Sequence, residues 1–309
     1  MTRGRIFWVV VVIALVALPP LATALGQPFY IDLVRRILIL AIAAASLNLI
    51  LGYGGMVSFG HAAYLGIGAY SVGILAFYGM TSGWLQWPAA IIASALVAAA
   101  IGAVSIRTSG IYFIMITLAF AQMFYYLGIS LEVFGGDDGM RLKSRSTFSG
   151  LIDLANPVSF YYVCLALLLG TLLLVHRIAD SRFGMVIRAA KSNEPRSRAI
   201  GYSPYPYRLV AFVIAGALCG LAGALYANHT NYITPGLMSW IQSGDLMFMV
   251  ILGGLASTAG PLLGALALII LEEILKGWTE YWQAVLGPLL VLSVIFFKRG
   301  LAGILERHA

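Results

Sequence analysis

The 309-residue sequence is 61% hydrophobic and 10% charged, with a mean hydropathy of +0.93 and a net charge of +7. Charged residues occupy about a quarter of the positions in a soluble domain, so this composition excludes the ordinary soluble classes and indicates a membrane protein. The positive charge is attributed to topology and to contact with anionic lipid headgroups. A nucleic-acid partner is not expected, because no basic, aromatic-interleaved domain lies outside the apolar segments.

Apolar segments long enough to cross a bilayer recur along the whole chain. Crossing about 30 Å of hydrocarbon takes about 20 residues in a helix. The windows of roughly this length cover residues 6–25, 33–51, 58–77, 88–106, 111–131, 158–176, 208–227, 244–258, 260–276 and 283–297. They lack the alternation of a membrane β-strand, so the sequence predicts an all-α, polytopic transmembrane helical bundle of about 8–10 spans, with residues 1–309 forming a single domain.

The first window has two interpretations. Basic residues precede an apolar run that ends in the Ala-Thr-Ala of residues 22–24, which resembles a cleavable signal peptide. The apolar segment nevertheless continues past Pro19 and Pro20 to Leu25 and is long enough to span. An uncleaved first helix is therefore the simpler prediction.

A glycine-rich interruption joins the second and third windows. Glycines at positions 52, 54, 55 and 60 would each cost a helix about 1 kcal/mol relative to alanine, so they predict a break at membrane depth. Such a break must line a cavity or be buried by protein. The polar residues predicted to face a cavity are Asn48, Ser58, His61 and, in the fifth window, Gln122. Alternatively, neighbouring helices satisfy each of them. The small residues at 62, 66, 69 and 73 predict a stripe that another helix approaches closely.

Residues 177–207 form a basic, polar island in this apolar sequence. A charged segment of this length indicates a soluble partner, although a solvated loop without a partner is the alternative. Glu194 favours the positive end of a helix dipole, Pro195 suits a first turn and Gly201 suits a C-cap. A short helix is therefore predicted from about 194 to 200.

The eighth and ninth windows are short and are separated mainly by Ala259, Gly260 and Pro261. They predict either two tightly joined spans or one broken, re-entrant element. The glycine-rich run at 253–260 also echoes the run at 54–60, as paired interruptions in the two halves of a transporter would. The echo is too short to establish a repeat.

Basic residues in short loops stay on the cytoplasmic side of a membrane, and this rule orients the chain. With ten spans, both termini and the island lie on one face, which carries 13 of the 19 basic residues. These are Arg3, Arg5, Arg107, Arg177, Arg182, Arg188, Lys191, Arg196, Arg198, Arg208, Lys298, Arg299 and Arg307. The N and C termini are therefore predicted to be cytoplasmic.

Catalytic and metal-binding patterns are absent from the sequence. It contains no G-x-x-x-x-G-K-[ST] loop to hold nucleotide phosphates and no G-x-S-x-G elbow. The four histidines lie in separate places, and Cys164 and Cys219 both fall inside predicted spans, where they are expected to be packing residues. We therefore predict a transport subunit that is not an enzyme, without a metal or other cofactor; any ATP hydrolysis must occur in partner subunits.

Four ordered motifs carry a resemblance to a known family. They are NLILGYGGMVSFGHAAYLGIGAY at 48–70, GIYFIMITLAFAQ at 110–122, AAKSNEPRSRAIG at 189–201 and GGLASTAGPLLGA at 253–265. Together they resemble the inner-membrane permease subunits of branched-chain amino acid ABC transporters, in particular the LivM branch, over about residues 33–300. The resemblance implies a multi-pass protein of the bacterial inner membrane.

The resemblance also implies a role for the island. Permeases of this kind present a cytoplasmic coupling helix, marked by a pattern like E-A-A-x-x-x-G, to an ATPase subunit. The implied coupling residues are Arg188, Asn193, Glu194, Arg196, Arg198, Ala199 and Gly201. Pro195 and Arg196 replace the alanines that follow the glutamate in the pattern.

The function implied is ATP-driven import of branched-chain, hydrophobic amino acids. The implied partners are a second homologous permease subunit that is LivH-like, two ABC ATPase subunits and a periplasmic substrate-binding protein. The binding protein would deliver the amino acid to the outer loops 132–157 and 228–243. Relatives in the same permease family are associated with urea, short amides or other amino acids.

Two other classes of transporter remain as alternatives. A secondary transporter needs ion- or proton-coupling groups near mid-membrane, whereas the acidic residues of this chain lie at or near span ends or outside the spans. A passive channel for a small polar solute such as urea or an amide needs no ATPase, but it also needs no basic element of this length.

Overall fold

The computed structural model describes residues 3–148, 150, 153–296 and 300–306, and these residues are predominantly helical. The α-helices among them are α1 (Arg3–Ala24), α2 (Pro28–Asn48), α3 (His61–Phe77), α4 (Gly83–Ser105), α5 (Ile111–Ser130), α6 (Pro157–Asp180), α7 (Arg182–Ser192), α8 (Glu194–Ala199), α9 (Pro204–Thr230), α10 (Trp240–Gly253), α11 (Gly260–Trp278), α12 (Trp282–Phe296) and α13 (Gly300–Glu306). A π turn (Leu49–Tyr53) extends α2, and the two short strands are β1 (Met140–Arg141) and β2 (Tyr232–Ile233).

The predicted all-α, polytopic architecture is confirmed, because each predicted window coincides with one of the helices α1 to α6 and α9 to α12. Among the described residues, the helical segments that are both long and apolar enough to cross a bilayer are Pro28–Tyr53, Gly83–Ser105, Ile111–Ser130, Pro157–Asp180 and Pro204–Thr230. The predicted orientation of the chain in the membrane relied partly on Lys298, Arg299 and Arg307, which lie outside the described residues.

Two predicted windows have boundaries that differ from those of their helices for local reasons. The eighth helix runs over Trp240–Gly253 rather than 244–258. It begins earlier because the Ser239 hydroxyl caps it by accepting from the Gln242 N–H. It ends before Gly254, whose φ is +121°. The third helix begins at His61 rather than at residue 58, because the interruption continues through Gly60.

The core of the bundle is α2, whose residues from Ile37 onward are almost completely inaccessible. Helices α6, α9, α10 and α11 pack around it, and α3 and α4 pack on α9. Small side chains such as those of residues 41 and 43–45, all fully buried alanines, let these neighbours approach α2 from several directions.

Glycines set the closest helix crossings. A Cβ added at Gly68 of α3 would overlap the carbonyl of Gly220 in α9, and one added at Gly223 would overlap the carbonyl of Leu65. Gly66 and Gly73 of the predicted stripe face Met238 and Ile233 instead. The tight α3–α9 crossing therefore depends mainly on glycines outside the predicted stripe.

Helices α10 and α11 form an antiparallel hairpin, and neither is among the described helical segments that are long and apolar enough to cross a bilayer. A Cβ added at Gly264 would overlap the carbonyl of Met249, and one added at Gly253 would overlap the carbonyl of Gly260. The segment consists of two separate helices joined by the tight loop 254–259.

Helix α1 is attached to α6 through its two consecutive prolines. Proline has no N–H, so Pro19 and Pro20 leave the carbonyls of Leu15 and Val16 without their usual helical donors. The Tyr161 hydroxyl donates to the carbonyl of Leu15 (2.8 Å), and the Tyr162 hydroxyl donates to that of Val16 (3.1 Å). Adjacent tyrosines thus satisfy the carbonyls that adjacent prolines release.

The two ends of the bundle differ in character. One end, called here the α7–α8 end, carries those two helices, the interruption after α2 and the loop 254–259. At the other, called here the sheet end, β1 pairs antiparallel with β2, with Met140 opposite Ile233. The sheet joins the two long loops that follow α5 and α9.

Candidate functional site

The interruption between α2 and α3 is present, and it is mostly buried by surrounding helices. The π turn Leu49–Tyr53 ends α2, residues 54–60 are non-helical, and α3 starts at His61. A Cβ added at Gly60 would lie 2.5 Å from the carbonyl oxygen of Thr117, so only glycine fits against α5 at this point. The glycines therefore let neighbouring backbones press directly on the break.

Asn48 joins this interruption to the loop 254–259. Its Oδ1 accepts from the N–H of Ala256 (3.0 Å), and its Nδ2 donates to the carbonyl of Ser257 (2.9 Å). Ala256 has a positive φ of +58°, an uncommon conformation for a residue with a side chain. A Cβ at Gly52 would lie 2.6 Å from the nitrogen of Ala256, so glycine is required there for this contact. The two glycine-rich runs thus meet through one amide side chain.

Ser58 and His61 are completely buried within the chain. The Ser58 hydroxyl oxygen accepts from the Gly60 N–H (3.3 Å). The Ser46 hydroxyl donates to the carbonyl of Ala43 (2.7 Å) and lies 2.8 Å from His61 Nε2, which leaves it to accept the Nε2 proton. His61 Nδ1 is then the unprotonated nitrogen, and it has no hydrogen-bond partner among the described residues.

Gln122 lies on α5, whereas the other three predicted path residues lie in or beside the interruption after α2. It is half-buried on α5. None of the hydrogen bonds found among the described residues connects its side chain to the interruption. No hydrogen bond among the described residues joins any two of Asn48, Ser58, His61 and Gln122, since the first three bond to Ala256 and Ser257, to Gly60 and to Ser46 respectively. The role of all four as path residues stays a prediction.

The island contains α7 in addition to the predicted short helix α8. Asn193 caps α8, since its Oδ1 accepts from the Arg196 N–H (2.9 Å). At the other end the Tyr202 N–H donates to the carbonyl of Ser197 (3.1 Å) around Gly201, whose φ is +92°. This is a Schellman motif, which confirms the expected helix and its glycine C-cap. The helix α7 was missed because its buried face is short.

Glu194 fastens α8 to α9. Its carboxylate accepts from Arg208 of α9 and from Arg198 one turn along α8, both at 2.6 Å. Partial burial alone would raise the pKa of Glu194, but the hydrogen bonds and charges of Arg208 and Arg198 outweigh it. The pKa therefore lies below its ordinary value. Arg208 also donates to the carbonyl of Ala190 in α7 (3.3 Å), so a single arginine connects three helices.

The surface of α7 and α8 is available to a partner. The exposed members of the predicted coupling set are Arg188, Asn193, Arg196, Arg198, Ala199 and Gly201, while Glu194 is half-buried. Three large apolar side chains, those of Met185, Ile200 and Tyr202, are exposed beside them. Exposed apolar groups ringed by arginines are typical of a protein-binding surface.

Lys191 was counted in the sequence only as a positive charge, yet it contacts the interruption directly. Its Nζ donates to the carbonyl of Gly52 (2.6 Å), and its stem packs against Gly55. Lys191 lies in the last turn of α7, so it links the island to the membrane-embedded break. A lysine at the end of an amphipathic helix is a weak signal, and its partner 139 residues away could not be read from the sequence.

A network of charged side chains centred on the buried Arg35 lies at the sheet end and was also missed. Arg35, which is 3% exposed, donates to Asp32 and, through Nε, to His229 Nδ1 (2.9 Å). Its guanidinium also lies over the ring of Phe160 (4.9 Å). Arg145 approaches the same ring from the loop after α5. Burial and then the charge of Arg35 lower the pKa of Arg145. The network ties α2, α6, α9 and this loop together.

Comparison with known proteins agrees with this architecture. Residues 29–294 match the family model described as branched-chain amino acid transport system / permease component. The chain is 28% identical to the high-affinity branched-chain amino acid transport system permease protein LivM of Salmonella typhimurium, covering 91% of this chain and 73% of that protein.

Two further relatives belong to other branches. The chain is 26% identical to the corresponding permease protein LivH of Escherichia coli, covering 85% of this chain and 91% of that protein. It is 24% identical to BraD of Pseudomonas aeruginosa, with the same coverage of 85% and 91%. No solved structure matches the chain. Since the family model covers most of its length, the chain belongs to the family of branched-chain amino acid transport system permease components.

Proposed function

We propose that this chain is a permease subunit of an ATP-driven ABC importer for branched-chain amino acids, in the bacterial inner membrane with both termini cytoplasmic. The observation that carries the proposal is the helix pair α7–α8. It is capped at both ends, exposed on its outer face, and bonded to the intramembrane break through Lys191. A passive channel or a secondary transporter has no use for such an element.

The α7–α8 surface is the docking site for an ATPase subunit. Ile200 and Tyr202 at the end of α8 and Met185 on α7 supply apolar anchors, and Arg188 and Arg196 supply a charged rim. Because Glu194 holds α8 against α9 through Arg208, a push on α8 reaches the membrane-spanning α9. The two ATPase subunits would thereby act on this permease and its partner.

The translocation path lies between this chain and a second homologous, LivH-like permease. Within this chain Asn48, Ser58 and His61 are buried and bonded to other parts of the same bundle. In contrast, α5 leaves large side chains such as Tyr112 and Tyr126 exposed. A path built between two subunits accounts for both facts.

The periplasmic substrate-binding protein docks at the sheet end. The pairing of β1 with β2 makes one surface of the two loops that were predicted to bind it. A shallow depression of about 680 Å³, lined by Asp138, Arg141 and Tyr232 among others, provides both charges and an aromatic ring for contact. The Tyr232 hydroxyl donates to the carbonyl of Asp138 and fixes the rim.

Purification from the native membrane tests the assembly. The wild-type chain should bring down an ATPase and a second permease, whereas Ile200→Glu should lose the ATPase and retain the second permease. Met80→Glu is the matched control, because Met80 is an exposed apolar residue in the turn after α3, away from α7–α8, and it should retain both. Purification of the wild-type chain alone would refute the importer assignment.

Transport by the reconstituted complex tests the substrate. In proteoliposomes containing the purified complex and its binding protein, labelled leucine should enter only with ATP, and unlabelled valine or isoleucine should compete for entry. Entry of leucine without ATP would favour a channel or a secondary transporter. Competition by urea or acetamide and not by valine would reassign the substrate class.

A further inference from the structure

The carbonyl of Gly52 is left free by the π turn. After this turn Gly55 and Met56 direct their N–H groups to the carbonyls of Leu51 and Ile50, passing over Gly52. A free carbonyl at the end of a helix carries partial negative charge, and a buried one needs a donor. The Lys191 ammonium supplies that donor at 2.6 Å, and it is the only residue of α7 or α8 seen to donate to the interruption within the described chain.

Beyond Gly52 the contacts continue to a second interruption. Gly52 packs against the Asn48 side chain so closely that a Cβ would overlap it. The Asn48 amide in turn bonds the backbone of Ala256 and Ser257 in the loop between α10 and α11. Lys191, Gly52, Asn48 and this loop therefore form one continuous series of contacts from α7 to two helix interruptions, with hydrogen bonds at its two ends and close packing between Gly52 and Asn48.

We propose that Lys191 is the positioning residue through which the α7–α8 pair acts on both interruptions of the bundle. This inference rests on the proposed function for the source of the movement, although the contact itself does not. When α7 is displaced, the ammonium carries the Gly52 carbonyl with it, and Asn48 transmits the shift to the loop 254–259. The ATPase thereby moves membrane-embedded backbone through a single side chain.

The first test uses the full-length chain alone in lipid nanodiscs, without an ATPase. Lys191→Met keeps the apolar stem and removes the donor, so amide exchange in residues 49–56 should become about tenfold faster, and exchange in 254–259 should also rise. Lys191→Arg should restore much of the protection because a guanidinium can also donate. Arg182→Met removes a charge from the same helix and should change nothing. Unchanged exchange in Lys191→Met would overturn the proposal even if an ATPase binds.

The second test uses the assembled importer in proteoliposomes. Lys191→Met should retain the bound ATPase and its ATP hydrolysis, while the number of amino acids imported per ATP falls about tenfold. Lys191→Arg should recover most of the ratio. An unchanged ratio in Lys191→Met would overturn the coupling role. Failure of the wild-type chain to bind an ATPase would instead contradict the proposed function. The amide-exchange result would still show whether Lys191 holds the interruption in place.

Discussion

The bond between Tyr161 and the carbonyl of Leu15 can be tested by giving that carbonyl its helical donor back. Tyr161 is completely buried, and its hydroxyl donates at 2.8 Å to a carbonyl that Pro19 cannot serve. Tyr161→Phe removes the donor and leaves the carbonyl unsatisfied in an apolar environment. We expect this to lower the free energy of unfolding by about 1–3 kcal/mol.

The substitution Pro19→Ala supplies an N–H four residues after Leu15, which can complete the helical bond. In the Pro19→Ala background, Tyr161→Phe should therefore cost less by about 1 kcal/mol or more. Pro20→Ala is the matched control, because it frees an N–H for Val16 rather than for Leu15. Tyr161→Phe should cost as much in that background as in the wild type.

The assay is unfolding of the full-length chain in mixed micelles by titration with a denaturing detergent, followed by tryptophan fluorescence. The double-mutant cycle cancels the effect of proline removal on the helix itself. Equal costs of Tyr161→Phe in the Pro19→Ala and Pro20→Ala backgrounds would refute the pairing of each tyrosine with one proline.

Three further perturbations follow from other contacts. Gly223→Ala forces a Cβ onto the Leu65 carbonyl and should destabilise the chain by about 1–3 kcal/mol or more in the same titration. Gly170→Ala is the control, because its added Cβ would meet no atom of another described segment within 4 Å, and it should be neutral or slightly stabilising. Asn48→Ala leaves an N–H and a carbonyl of the loop 254–259 without their hydrogen-bond partner. It should lower the free energy of unfolding by about 2–4 kcal/mol and speed amide exchange in the loop. Unchanged exchange would contradict the role of Asn48 in holding the loop. The pKa of Glu194 is depressed in the folded chain, so its bonds to Arg208 and Arg198 contribute their full stability above the unfolded pKa of about 4.3. This stability is lost as the pH falls through the lower pKa of the folded chain. Amide protection of α8 should therefore decline below about pH 4 in the wild type and be low and independent of pH in Glu194→Gln.

Structural features that depend on residues close together in the sequence could be predicted, because they follow from local chemistry. Apolar segments of spanning length located the membrane helices, since burial in lipid depends on composition over about 20 residues. The helix α8 and its caps were predictable for the same reason, as Glu194, Pro195 and Gly201 act on their own backbone. The glycines of the interruption likewise predicted a break in the helix without any knowledge of the segments that pack against it.

Features that join distant segments could not be predicted. Asn48 was expected to face a cavity because a polar group in lipid is costly, but its partners are backbone groups 208 and 209 residues away. Lys191 and Gly52 are 139 residues apart, and nothing in either neighbourhood specifies the other. For the stripe on α3, helical spacing gave candidate residues, but the tertiary packing places Gly68, which is outside the stripe, against Gly220 of α9.

The tyrosine pair also imposes an order on the assembly of the protein during its synthesis. The carbonyls of Leu15 and Val16 enter the membrane 146 residues before the tyrosines that satisfy them. At a synthesis rate of about 5–20 residues per second, this interval lasts about 7–30 s. During that time α1 carries two bare carbonyls, and it gains its final bonds only when α6 arrives. Helix α1 is therefore made well before α6 but reaches its final hydrogen bonding only after α6 is in place.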